Sequence, residues 1–234
     1  MQFTYITVLK FEETLSDMET RCFRGAIVGL VGKEKVTYHN HLGDERLVYS
    51  YPLVQYKRID GKLAIVGIGS AAESVMQLAC QFPQSLKIGK KDVVFHTRSC
   101  TMDVYRPVLE VKPKLYSIKD YIALTDDNFR KYGSMLALTD KITFLEDILV
   151  GNILSFLKGI EYRVEGKIFC AITSFAEPRT KCYKGVRFVV FDLGFVSNIE
   201  LPSGIGLGKS SSMGFGVLKR EVLPSKFENF ESEN

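Results

Sequence analysis

A chain of 234 residues, 46% hydrophobic and 12% aromatic, is long enough for one large domain or two of about 110 residues. No apolar run reaches the roughly eighteen residues of a membrane span, since the most apolar stretch, 148–157, is broken by Gly151 and Asn152; residues 1–9 also lack the basic start and apolar centre of a secretory leader. Five cysteines without a C-x-x-C pair read as reduced, mostly core residues of a cytoplasmic protein and argue against a zinc site, and the net charge of +4 is uneven, with sixteen basic against eleven acidic residues in 112–220.

The first half gives a regular succession of elements. Residues 2–10 alternate as a strand, and Ser16 with Glu19 forms a capping box that opens a helix bearing Met18, Cys22, Phe23, Ala26, Ile27 and Leu30 on one face, closed by Gly32. A polar loop leads to a strand over 47–57, a turn at Asp60 and Gly61, and an apolar strand over 63–68. A second helix carries the stripe Ala72, Val75, Met76, Ala79 and Phe82, Pro83 closes it, and 92–98 supplies a last strand. The order β-α-β-β-α-β is that of a ferredoxin-like domain, assigned to residues 1–111.

After Val111, Lys112 and Pro113 the pattern begins again, in a second domain assigned to 112–224, with a strand over 115–124. Helical signals fill 127–158; Asp140, or Thr143 with Glu146, can start a helix bearing Ile142, Leu145, Ile148, Leu149 and Phe156, and Gly159 can stop it. Strands over 161–175 and 185–196 flank a basic hairpin in which Arg179, Lys181, Lys184 and Arg187 surround Tyr183. Such a hairpin suits a phosphate backbone, and a solvated turn is the plain alternative.

Where a second ferredoxin-like unit would place its final helix, residues 201–218 read LPSGIGLGKSSSMGFGVL. Gly204, Gly206, Gly208, Gly214 and Gly216 surround Lys209, Ser210, Ser211 and Ser212, and a backbone so rich in glycine persists where φ must be positive or a ligand must approach closely. Free N–H groups, a lysine and three hydroxyls would suit a phosphate; a glycine–serine surface loop is the plain alternative. Ser203 stands where a Walker A loop needs glycine, and no register closes G-x-G-x-x-G. Residues 225–234 form an acidic tail.

The glycine loop ending in Gly214-Phe215-Gly216, the tandem ferredoxin-like order, and Tyr38-His39-Asn40-His41-Leu42-Gly43 followed by Tyr51-Pro52-Leu53-Val54-Gln55-Tyr56-Lys57 resemble the CRISPR repeat-processing endoribonucleases, in the branch with two histidines in the first domain. The resemblance covers nearly the whole chain. It implies an α+β fold of two tandem ferredoxin-like, RRM-like domains, the second incomplete, and metal-independent cutting of repeat RNA that leaves a cyclic phosphate. A protein of the same fold that holds repeat or guide RNA uncut is the alternative.

Physical chemistry agrees with that implication for the histidines. His39 and His41 alternate in a polar loop, so an extended backbone would point them the same way, and an unperturbed pKa of about 6.5 suits one to accept a proton and the other to donate one. Bonding only to water or backbone is the plain alternative. The resemblance also implies a tyrosine near the histidine pair that orients the phosphate, for which Tyr49 and Tyr51 are the candidates, and alternation along the expected strand would let both face RNA with Lys57; packing against the sheet is the competing role for each tyrosine. His96 reads as structural. No metal and no cofactor are expected. The expected partner is CRISPR repeat RNA and not a membrane, while a CRISPR effector complex and a second copy of the chain are options that the letters leave open.

Overall fold

The computed structural model of the chain describes residues 3–32, 41–42, 46–47, 51–183 and 185–222, with the backbone alone at 17, 41–42, 46–47 and 183. In the first unit, β1 (Thr4–Phe11), β4 (Val54–Ile59), β5 (Lys62–Ile68) and β8 (Thr97–Tyr105) form an antiparallel sheet in the order β4-β5-β1-β8. That is the ferredoxin-like arrangement, with helices α1 (Asp17–Val31) and α2 (Ala72–Cys80) in the two crossovers. The capping box is realised: the Ser16 hydroxyl accepts from the Glu19 N–H at 3.3 Å, and the Glu19 carboxylate accepts from the Ser16 N–H at 3.0 Å. Leu9 and Phe11 of β1, Phe23 and Ile27 of α1, Tyr56 and Ile65 of the sheet and Val75 of α2 close one core.

Two boundaries differ from expectation in this unit. The strand expected over 47–57 begins only at Val54, because Pro52 cannot donate to a ladder; β2 (His41–Leu42) and β3 (Arg46–Leu47) precede it as a separate two-residue pair. The strand expected over 92–98 is divided. Its first part belongs to a hairpin of β6 (Ser85–Ile88) and β7 (Lys91–Val94), and the sheet strand β8 starts at Thr97.

The second unit repeats the order with β9 (Leu109–Tyr121), β10 (Cys170–Phe175), β12 (Val186–Ile199) and β13 (Val217–Arg220) as the sheet β10-β12-β9-β13, to which β11 (Arg179–Tyr183) adds by pairing with β12. The strand expected over 115–124 thus starts earlier, passing through Pro113 where β13, opposite Tyr116 to Lys119, does not reach. Only Cys170–Phe175 of the expected 161–175 is strand. The helical stretch is two helices, α3 (Asp126–Ser134) and α4 (Leu138–Gly159), the latter starting after Ala137 with no side-chain cap rather than at Asp140 or Thr143. Leu145, Leu149, Ile153, Phe156 and Leu157 put the apolar stripe of α4 into a core with Leu193 and Phe195.

That core does not stop at the second unit. Ile6, Tyr51, Val66, Ile68 and Tyr105 join it from the first, with the rings of Tyr51 and Tyr105 at 5.1 and 5.8 Å from Phe156. The two units are therefore welded by apolar contact at one end of their sheets. At the other end the sheet faces diverge around a cleft.

Candidate nucleic-acid interface

The glycine-rich segment fills the place of the missing helix and is wedged between the two sheets. Ile205 and Leu207 are buried in the shared core, and backbone bonds tie the segment to β9 and β13: Gly204 N–H to Leu218, Leu207 N–H to Gly216, Lys209 N–H to Ile122 and Gly216 N–H to Asp120, all at 2.8–3.1 Å. A side chain at Gly208 would strike Tyr121 and the Ile122 carbonyl, and one at Gly216 would collide with the Leu207 carbonyl. The expectation that the glycines leave N–H groups free for a phosphate is thus corrected for Gly204, Gly206 and Gly216. Their amides bond to the protein, and the glycines are needed mainly for close packing.

Toward the first unit, the contacts are side chain to backbone. The Gly206 N–H donates to Gln55 Oε1 at 2.8 Å, and the Tyr51 hydroxyl donates to the Gly206 carbonyl at 2.8 Å. Lys57 Nζ donates to the same Gln55 Oε1 at 2.5 Å. A short 3-10 turn, Ser211–Met213, lies between Ser210 and Gly214, both left-handed, and Arg24 of α1 reaches the Met213 sulfur at 3.4 Å.

The cleft, of about 670 Å3, is walled by Val8, Lys10, Ser99 and Thr101 of the first sheet, by Ser117, Lys119, Val217 and Lys219 of the second, and by Ser203, Gly204, Met213 and Gly214 of the glycine segment. Beside the buried Lys57, its described lining holds six basic side chains (Lys10, Arg58, Lys119, Lys181, Lys219, Arg220) against three acidic ones (Asp60, Asp120, Glu221), so its field favours an anion. Several of the cations are paired. Lys181 meets Asp120 at 2.8 Å, Arg179 meets Asp192 at 2.7 Å and Asp120 at 3.1 Å, and Arg220 meets Glu200 at 2.7 Å.

Of the residues singled out in the sequence, His39, Tyr49 and Lys184 lie outside the described residues, and His41 is described only as backbone opposite Leu47. Tyr51 is turned into the shared core and not outward. It is 8% exposed, its ring meets Phe156, and burial pushes its phenol well above the ordinary tyrosine pKa. Lys57 has no exposed surface, so it too departs from the expected outward face, and burial alone drives its pKa well below the usual lysine value. Ser211 is buried, Ser210 and Ser212 are half-buried, Lys209 is exposed with its ammonium 4.9 Å from the Phe188 ring, and Arg187 is exposed. Arg179 and Lys181 stand on β11 as a paired, not a free, basic surface.

Sequence reasoning missed Gln55, Asp120, Lys119 and Lys219. Antiparallel alternation could have found the two lysines, since Lys219 pairs with Ser117 and Val217 with Lys119. His96, expected to be structural, bonds to Glu13 at 2.8 Å, and that contact helps hold the Glu13 carboxyl below its ordinary pKa despite partial burial. Among the described residues no three His, Cys, Asp or Glu side chains gather as metal ligands, and no described helix is long and apolar enough to cross a membrane.

Comparison with known proteins agrees with this architecture over both units. Residues 1–106 match the Cas6b N-terminal domain and residues 109–221 the Cas6b C-terminal domain. An uncharacterised protein of Methanocaldococcus jannaschii is 37% identical over 113 residues, 48% of this chain and 76% of the relative. A crystal structure of Cas6b superposes with a TM-score of 0.81 at 25% identity, covering 94% of this chain and all of the other. A CRISPR RNA processing endoribonuclease, also a Cas6b, superposes with a TM-score of 0.72 at 23% identity and the same coverage.

Proposed function

The chain belongs to the Cas6b family, which includes a CRISPR RNA processing endoribonuclease, and on that footing we propose that it cuts CRISPR precursor transcripts within the repeat by attack of the RNA's own 2′-hydroxyl. One of His39 and His41 takes the proton from the 2′-hydroxyl as the 2′-oxygen bonds to phosphorus. The other protonates the 5′-oxygen as the P–O5′ bond breaks, leaving a 2′,3′-cyclic phosphate and a 5′-hydroxyl. The basic cleft, with the glycine segment as one wall, holds the backbone near the in-line geometry that this attack needs. The observation that carries the reading is this open cleft of excess positive charge between two sheets whose relative position is fixed by a shared core.

The test is cleavage of a synthetic repeat transcript. Cutting should persist in EDTA, and a single 2′-deoxy substitution 5′ of the scissile phosphate should stop it with little loss of binding, because only one hydroxyl is removed. Replacing both His39 and His41 with alanine should abolish cleavage and spare affinity. Cutting of the deoxy strand, or strict dependence on magnesium, would overturn the mechanism. Tight binding without cleavage would make the chain a repeat-binding protein.

A further inference from the structure

Tyr51, three residues before β4, and Gln55, near the start of that strand, between them hold both backbone polar groups of one residue more than 150 positions away. The Gln55 amide makes three hydrogen bonds among the described residues. Its Nε2 donates to the Pro52 carbonyl at 3.0 Å, which turns Oε1 toward the Gly206 N–H and Lys57 Nζ. Tyr51 is equally fixed, because its ring meets Phe156 on one helix turn and lies so close to Gly159 that a Cβ there would stand 2.6 Å from the Tyr51 Cβ. Gly206 itself admits no side chain: a Cβ would lie 2.9 Å from Lys57 Nζ, the Phe215 carbonyl and Ser211 Cβ. The neighbouring amides of Gly204, Leu207 and Leu218 bond within the second unit, whereas Gly206 turns outward to the first.

We infer that Tyr51 and Gln55 are positioning residues that clamp the backbone of Gly206 and so fix the glycine segment to the end of the histidine-bearing stretch. The inference rests on the function proposed above. In the sequence, residues 33–50, which include His39 and His41, run directly into Tyr51. A clamp at that point sets the segment that helps hold the RNA backbone against the anchor of the segment that supplies the acid and base. Small misplacement of reacting groups costs rate out of proportion to its size, on the order of a hundredfold for 1 Å.

Tyr51→Phe keeps the ring between Phe156 and Gly159 and removes only the hydroxyl, so it tests the clamp without emptying the core. The expected result has three parts. Single-turnover cleavage of repeat RNA at saturating protein falls roughly tenfold or more, while the Kd for a deoxy-substituted, uncleavable repeat shifts by less than about threefold. The pH–rate profile keeps its shape, and hydrogen exchange accelerates at residues 204–208 but not in β12. Gln55→Ala should act on the same step, so the double variant should cost no more than the worse single one. Loss of a limb of the pH profile in Tyr51→Phe would make Tyr51 a proton carrier and overturn the inference. So would unchanged rate together with unchanged exchange. If the wild-type chain cuts no repeat RNA, the proposed function falls, and the exchange of 204–208 still decides whether the clamp exists.

Discussion

Lys57 has no exposed surface and, among the described residues, bonds to one amide oxygen and to no carboxylate, an arrangement in which the charged form loses hydration with little to replace it. Between the lowered folded pKa and the ordinary lysine value, the unfolded chain binds the proton and the folded chain does not, so stability rises with pH across that window. Lys57→Met fills a similar volume and removes the titration. In thermal melts from neutral pH to about pH 10, the methionine variant should gain most over wild type at the low end, with the gap shrinking as pH rises toward the ordinary lysine pKa. A gap that widens with pH would mean that Lys57 is held as a cation by groups outside the described residues. The sequence could not reveal this burial. Strand alternation placed Lys57 with Tyr51 on an outward face, but Pro52 delays the strand to Val54, and the face itself is covered by a segment 150 residues distant.

At the scale of elements, local signals were legible and distant ones were not. The capping box of α1 and the Asp60-Gly61 turn are present as read, because each is set by neighbours in sequence; the stripes of α2 and α4 are present in part, since α2 ends at Cys80 before Phe82 and also buries Leu78, and α4 also buries Ile153 and Leu157. The β6–β7 hairpin was hidden because its strands have four residues each and its turn at Gly89 falls within a lysine run. The positive φ of Gly204, Gly208, Gly214 and Gly216 was legible from the glycines, but the contacts that the segment makes with strands β4, β9 and β13 were not. Gly216 states the constraint most sharply. Its φ is 61°, and a Cβ would collide with the Leu207 carbonyl, so Gly216→Ala should cost about 2–3 kcal/mol from strain and lost loop bonds. Gly133→Ala, in α3 with open space around it, should instead stabilise by about 0.5–1 kcal/mol from helix propensity. Denaturant unfolding of both variants checks the contrast, and equal stability for the two would remove the packing role from Gly216.

Across the whole molecule, the proposed function makes the cleft's attraction for RNA depend on which cations are available and not on how many the sequence lists. Asp120 is the residue that decides this on the hairpin side. Its backbone is left-handed (φ 51°), its carbonyl accepts from Gly216, its N–H donates to Asp192 at 2.8 Å, and its carboxylate holds Lys181 and Arg179. A phosphate arriving at β11 must therefore compete with a carboxylate already in place. Asp120→Asn keeps a side chain that tolerates the left-handed backbone and removes one negative charge from the cleft. Lys181 then has one fewer intramolecular competitor. We expect tighter binding of repeat RNA at low salt and a salt dependence steeper by about 0.7 in log Kd against log salt, the increment of one phosphate contact on a single strand. Filter binding from about 50 to 200 mM salt resolves a change of that size, since it corresponds to about a 2.6-fold difference in affinity over the range. Weaker binding with an unchanged slope would show the reverse arrangement, in which Asp120 holds Lys181 in the attitude that meets the phosphate and the ion pair is part of the binding surface rather than a competitor for it.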